Sequence, residues 1–331
     1  MSQSTSTSTS TSTSTSTVAP RTEYHRVLAG ESRRIGRGVL AILLLVVGMM
    51  FFAILFSAVA AAVDAANGTE ARGWSTPLVH AAGLASVAML VPWSMFIQRW
   101  LYGVRGPSLH SVVSRFRHDL FGRALLLLMP AMLAVMAFTY WTPLPQVPAP
   151  WSDVLWLVLA TLLLTPLQAA GEEYGFRGLV LRVAGGWARG ARAGIALGVL
   201  VSSVVFALVH LSTDPWLNLW YLVFAVGLAI VTWRTGGIEV AVVMHALYNT
   251  LSFVLDAALR VDPAVLTDRS AGVADASVLV PAALVVLTTV VVWVRTRRTG
   301  PALTPRDASV NEVRPALPLA GRPEEMTTLR G

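Results

Sequence analysis

The chain has no cysteine and no lysine, and only 13% of its 331 residues are charged. Without cysteine there is no disulfide framework and no thiol chemistry, and the redox compartment stays open. A soluble domain carries about 25% charged residues, so the shortage argues against one. The net charge of +7 rests on arginine alone, and no basic patch interleaved with aromatics points to nucleic acid. No basic stretch opens the chain, so no cleavable signal peptide is expected. What fills the space is apolar: 55% of the residues, gathered in long uncharged blocks. This composition predicts an all-α, polytopic transmembrane helix bundle.

Blocks of spanning length fall near 38–63, 78–97, 124–141, 156–184, 193–211, 216–233, 238–257 and 274–294. That makes about eight spans. The fourth is long, and Pro166, Gly171 and Gly175 give it places to bend. Residues 4–17 alternate Ser and Thr and cannot bury apolar surface. The expected organisation follows from these blocks. Residues 1–36 form a disordered, Ser/Thr-rich cytoplasmic N-terminus, 37–154 the first spans, 155–256 a central block of spans, 257–298 the last span, and 299–331 a disordered tail.

Arginines cluster before the first block, at 99–123, at 182–192, at 234 and at 295–298, and are sparse in the alternate loops. By the positive-inside rule both termini are cytoplasmic in a bacterial plasma membrane. Trp216, Trp220 and Tyr221 read as an interfacial aromatic belt, with Asn218 a weak candidate for peptide contact.

An ionisable group in hydrocarbon costs a few kcal/mol and defaults to function. The deep ones are Glu172, Glu173, Arg177, His210 and His245, joined by the polar Asn249. Glu173 and Arg177 are i,i+4 and can pair, whereas Glu172 points about 100° away. One carboxylate can thus be held as a structural ion and the other left for chemistry. Glu239 and Asp256 sit at the two ends of the seventh block, where headgroups and water can reach them. His80 reads as a satisfied interhelical hydrogen bond, and His25, His110 and His118 as ordinary loop residues. Counting helix rise from the arginine-rich turns places the three motif regions at heights differing by up to roughly 14 Å, with Glu172 and His245 nearer the cytoplasm. A cavity opening to the cytoplasm is expected on that count.

The ordered pattern E-E-x-x-x-R (Glu172, Glu173, Arg177), F-x-x-x-H (Phe206, His210) and H-x-x-x-N (His245, Asn249) resembles the CPBP family. These are the CAAX prenyl-protease and bacteriocin-processing intramembrane endopeptidases, also called Abi proteins. The resemblance covers roughly residues 155–256. It implies that Glu172 and His210 activate a water, that His245 and Asn249 stabilise the tetrahedral oxygen, and that Glu173, Arg177 and Phe206 support them. The substrate it implies is a membrane-associated protein or peptide. The metal-free reading is preferred, with no cofactor. The alternative is zinc on Glu172, His210 and His245, since two histidines and a glutamate form a familiar catalytic zinc set. No H-E-x-x-H is present.

Two other function classes compete. A carrier also keeps Glu and His in the membrane but should show internal repeat symmetry, and none is visible. A non-catalytic bacteriocin-immunity or binding protein on the same scaffold has no need of an intact motif set. The arginine-only, Ala/Val-rich composition suggests a GC-rich bacterial gene, where prenylated substrates are not expected.

Overall fold

The structure, a computed structural model, describes residues 18–30, 34–69 and 76–306. The expected disorder of 4–17 and of 307–331 lies outside those residues. Eleven helices follow in order: α1 (Ile35–Ala66), α2 (Pro77–Ala88), α3 (Leu90–Tyr102), α4 (His118–Thr139), α5 (Trp151–Glu172), α6 (Leu181–Gly185), α7 (Ala191–Leu208), α8 (Pro215–Thr235), α9 (Glu239–Leu259), α10 (Pro263–Thr267) and α11 (Leu279–Thr296). A π-helical turn, Glu173–Val180, joins α5 to α6 into one unbroken span. Among the described residues there are eight spans and no β-sheet, only isolated bridges. The protein is an all-α polytopic bundle.

Helix ends follow local chemistry. Thr76 caps α2 by accepting from the Val79 amide at 3.1 Å, and Pro77 fits the first turn, where no N–H is needed. The α8 cap, Asp214, takes the Trp216 and Leu217 amides on one oxygen and the Gly272 amide on the other. It therefore ties the 209–214 loop to the loop before α11. Gly236 ends α8 at φ +70, a left-handed conformation that glycine adopts without strain. The expected tight turn at Gly236–Gly237 is there.

Outward positions such as Leu126, Leu127 and Leu163 are exposed apolar side chains, as lipid contact requires. Inward, α5 packs on α2 and α9. At Gly171 a side chain would meet the Val87 carbonyl oxygen at 2.1 Å, so glycine lets α5 and α2 touch just before Glu172.

Several placements differ from expectation. Residues 18–30 are ordered: Tyr24 and His25 are fully buried, and Arg26 donates to the carbonyls of Gly185 and Ala188 at 2.8 and 2.7 Å. Thr304 bonds to Ala19 and Thr22, so both flanking segments are clasped onto the arginine-rich end. His110 is likewise engaged, paired with the Tyr174 hydroxyl. His80 does bond across helices, to Thr161 at 3.0 Å.

Glu239 and Asp256 are both buried, not exposed at the ends of α9. Arg117 grips Glu239 through Nε and Nη2 at 2.9 and 2.7 Å. That two-point grip from the 111–117 loop seals the start of α9.

Candidate active site

After α5 the backbone changes from α to π geometry within the E-E-Y-G-F-R-G stretch. Single π turns in long helices concentrate at functional sites. Here the change occurs between the two glutamates, which go different ways. Glu173 and Arg177 turn into the bundle, both with no exposure, and their charges meet at 3.1 Å. That contact lacks hydrogen-bond alignment. The guanidinium instead lies against two neighbouring aromatic rings, 4.1 Å from the Phe206 ring centre and 5.8 Å from that of Phe224. Glu173 also reaches a second partner, and its Oε1 accepts from His245 Nδ1 at 2.8 Å. The expected pair exists, and it also orients a motif histidine.

Glu172 turns to the cavity. Its Oε1 accepts from Gln168 Nε2 at 2.5 Å, and Gln168 Oε1 in turn accepts from Asn249 Nδ2 at 3.1 Å. The other oxygen, Oε2, has no hydrogen-bond partner. It lies 3.9 Å from His245 Nε2, beyond hydrogen-bonding range. Gln168 is not among the residues that the motif pattern singles out. The available signal was a polar side chain one turn before Glu172 in an otherwise apolar helix.

His210 lies just past the end of α7, not within a helix. The chain turns at Leu211, with φ +53. Its imidazole stacks on Tyr221 at 4.1 Å and leans on Phe206 at 4.6 Å. Nδ1–H donates to the Phe206 carbonyl at 2.7 Å, so the neutral ring carries its lone pair on Nε2. Burial pushes this imidazole below its ordinary pKa, against the neighbouring Glu172 charge, which favours the protonated ring. Phe206 therefore does more than fill space: it positions both His210 and Arg177.

Glu172, His210, His245, Asn249, Gln168 and Phe206 wall one cavity of about 470 Å³. Glu173 and Arg177 sit behind that wall. The expected mismatch in height is absorbed, because His210 leaves its helix and folds in over Tyr221. Trp220 and Tyr221 are buried against the same cavity and are not a membrane-interface belt. Asn218 donates to the Ser212 carbonyl at 3.0 Å; it braces a loop and does not line the cavity.

The mouth is ringed by Val265, Asp268, Val273 and Ser277, which are exposed. These belong to the arginine-poor loops, at the end opposite α6–α7 and the α8–α9 turn. The cavity expected to open on the arginine-rich side opens on the other. Rise counted along straight helices missed this, because it ignored where neighbouring helices close the space.

The zinc set has suitable chemistry: both imidazoles present Nε2 while an oxygen acceptor orients Nδ1. Spacing is the obstacle. Among the described residues no three His, Asp or Glu side chains come close enough to share an ion.

Residues 151–251 match the family model for type II CAAX prenyl endopeptidase Rce1-like proteins. The uncharacterized protein YyaK of Bacillus subtilis is 31% identical over 104 residues, 30% of this chain and 33% of that protein. The match thus spans about a third of this curated relative. No solved structure matches the chain. The matched segment runs from the start of α5 through Asn249 and contains every motif residue gathered at the cavity, and it is a domain of the Rce1-like CAAX endopeptidase family.

Proposed function

We propose that the protein is an intramembrane endopeptidase that hydrolyses a peptide bond in a membrane-associated protein or peptide. The observation that carries this reading is the one cavity holding Glu172, His210, His245 and Asn249. Glu172 offers an unpartnered carboxylate oxygen and His210 an Nε2 lone pair. Together they can position a water and accept its proton. The water oxygen bonds to the scissile carbonyl carbon, and negative charge develops on the carbonyl oxygen. Donors near that oxygen are the second Nδ2–H of Asn249 and, in the imidazolium form, His245 Nε2–H, because His245 Nδ1–H is already given to Glu173. Fixed donors in a water-poor site act strongly on such charge. Protonated Glu172 then returns its proton to the departing nitrogen as the C–N bond breaks.

The test is mass spectrometry of a membrane-inserted peptide incubated with purified protein in heavy-oxygen water. One labelled oxygen in the new C-terminus is expected. An intact peptide pool across a broad panel favours instead the non-catalytic immunity or binding role on this scaffold.

A second reading is favoured by the oxygen-anchored Nδ1 atoms of both histidines: a zinc-dependent form of the same protease. The metal-free account expects activity to survive chelators and purified protein to carry well below one metal per chain. One tightly held zinc, lost together with activity in His210→Ala and His245→Ala, overturns it.

With the arginine-rich loops inside, the protein lies in a bacterial plasma membrane with both termini cytoplasmic and the cavity mouth facing out. The missing native cysteine makes labelling clean. Pro107→Cys and Pro305→Cys should react with an impermeant maleimide only in inverted vesicles. Gly68→Cys, Pro148→Cys and Val265→Cys should react in intact cells. The opposite pattern reverses the orientation.

A further inference from the structure

The function above leaves a buried carboxylate of its own cavity unused. Asp256, 5% exposed, lines the same cavity nearer the mouth. Its Oδ1 accepts from the Tyr140 hydroxyl at 2.6 Å, and Oδ2 has no hydrogen-bond partner among the described residues. Glu173 is neutralised by Arg177 and His245, Glu239 by Arg117, and Asp214 by backbone amides; buried Asp64 also takes a single hydroxyl, from Thr76, but does not line the cavity. At the mouth, Arg269 donates to the carbonyls of Leu266 and Asp268, beside the exposed Asp268 carboxylate. No cation is placed on Asp256.

On α9, His245, Asn249, Ser252 and Asp256 share one face at spacings of four, three and four, and all four line the cavity. They form a polar track from the proposed reaction centre to the opening. Seven positions separate Asn249 from Asp256, about 10 Å of helix rise. An extended peptide advances about 3.3 Å per residue, so about three substrate residues span that distance.

We propose that Asp256 is a substrate-recognition site for a cationic side chain, lysine or arginine, about three residues from the scissile bond. That residue lies on the part of the substrate that runs out toward the mouth. A half-satisfied carboxylate in an apolar bundle costs free energy that an incoming cation recovers. The distance argument rests on the protease reading, since it places the scissile carbonyl at Asn249. The charge preference of Asp256 does not.

Binding separates the two. The probes are two fluorescent alanine/leucine decapeptides that differ by one central lysine-for-alanine exchange. Their affinity is measured by anisotropy for the full chain in lipid nanodiscs. Wild type should bind the lysine peptide at least about tenfold tighter. Asp256→Asn keeps an oxygen to accept from Tyr140 and should bring the ratio near one, with unchanged melting temperature. Tyr140→Phe leaves the carboxylate and should keep the preference. No lysine preference in wild type, or an equal preference in Asp256→Asn, overturns the proposal. Lysine-selective binding without any cleavage supports the recognition site and overturns only the protease reading. Where cleavage occurs, the cut should fall about three residues from the lysine, and a cut adjacent to it contradicts the assigned spacing.

Discussion

Glu172→Gln should lower peptide hydrolysis by on the order of 10²-fold or more, the usual cost of losing a general base, while the protein stays folded. The substitution keeps side-chain volume and the acceptor oxygen used by Gln168 Nε2. It removes the charge and the unpartnered Oε2 acceptor. Packing therefore supplies little of the effect, and melting temperature should move by only a few degrees. Glu173→Gln is the informative neighbour. It weakens the contacts to both Arg177 and His245, so it should cost stability as well as activity. A Glu172→Gln protein that keeps more than about a tenth of the rate sinks the assignment of the base.

The largest effect on stability is expected at Arg177. Its side chain is fully buried, faces one carboxylate and lies on two aromatic rings. Removing one partner of a buried pair costs about 3–5 kcal/mol, because the other charge is stranded. Arg177→Leu should therefore unfold in detergent far below wild type, a loss read directly as a fall in melting temperature. Arg177→Lys keeps the charge but gives up the planar face lying on Phe206, and should fall between the two. If Arg177→Leu melts like wild type, the pair is not holding the site together. Double substitution with Glu173→Gln should recover part of the loss, since neither charge is then left alone.

The eight spans were legible because lipid demands long uncharged runs, and nothing local competes with that signal. The different fates of Glu172 and Glu173 were legible too, from a 100° turn and an i,i+4 arginine. What the sequence hid were partners far away along the chain. Glu239 looked water-exposed because its arginine, Arg117, lies in a distant loop. The second partner of Glu173, His245, comes from another span. Gln168 carried a weak local signal, yet its bond to Asn249 crosses from α5 to α9. The cavity mouth was misjudged for a related reason: helix rise gives depth along one helix but not which end its neighbours close. His210 sat inside a hydrophobic block by composition, while the turn at Leu211 takes it off the helix.

One measurement bears most directly on the central claim, that the cavity around Glu172 cuts peptide bonds in the membrane. Membranes from cells expressing wild-type protein or Glu172→Gln at equal levels are compared by mass spectrometric mapping of protein termini. The account predicts a small set of new termini, in or beside membrane segments, present with wild type and absent with Glu172→Gln. Identical termini in the two membranes, with both proteins folded and equally abundant, contradict it.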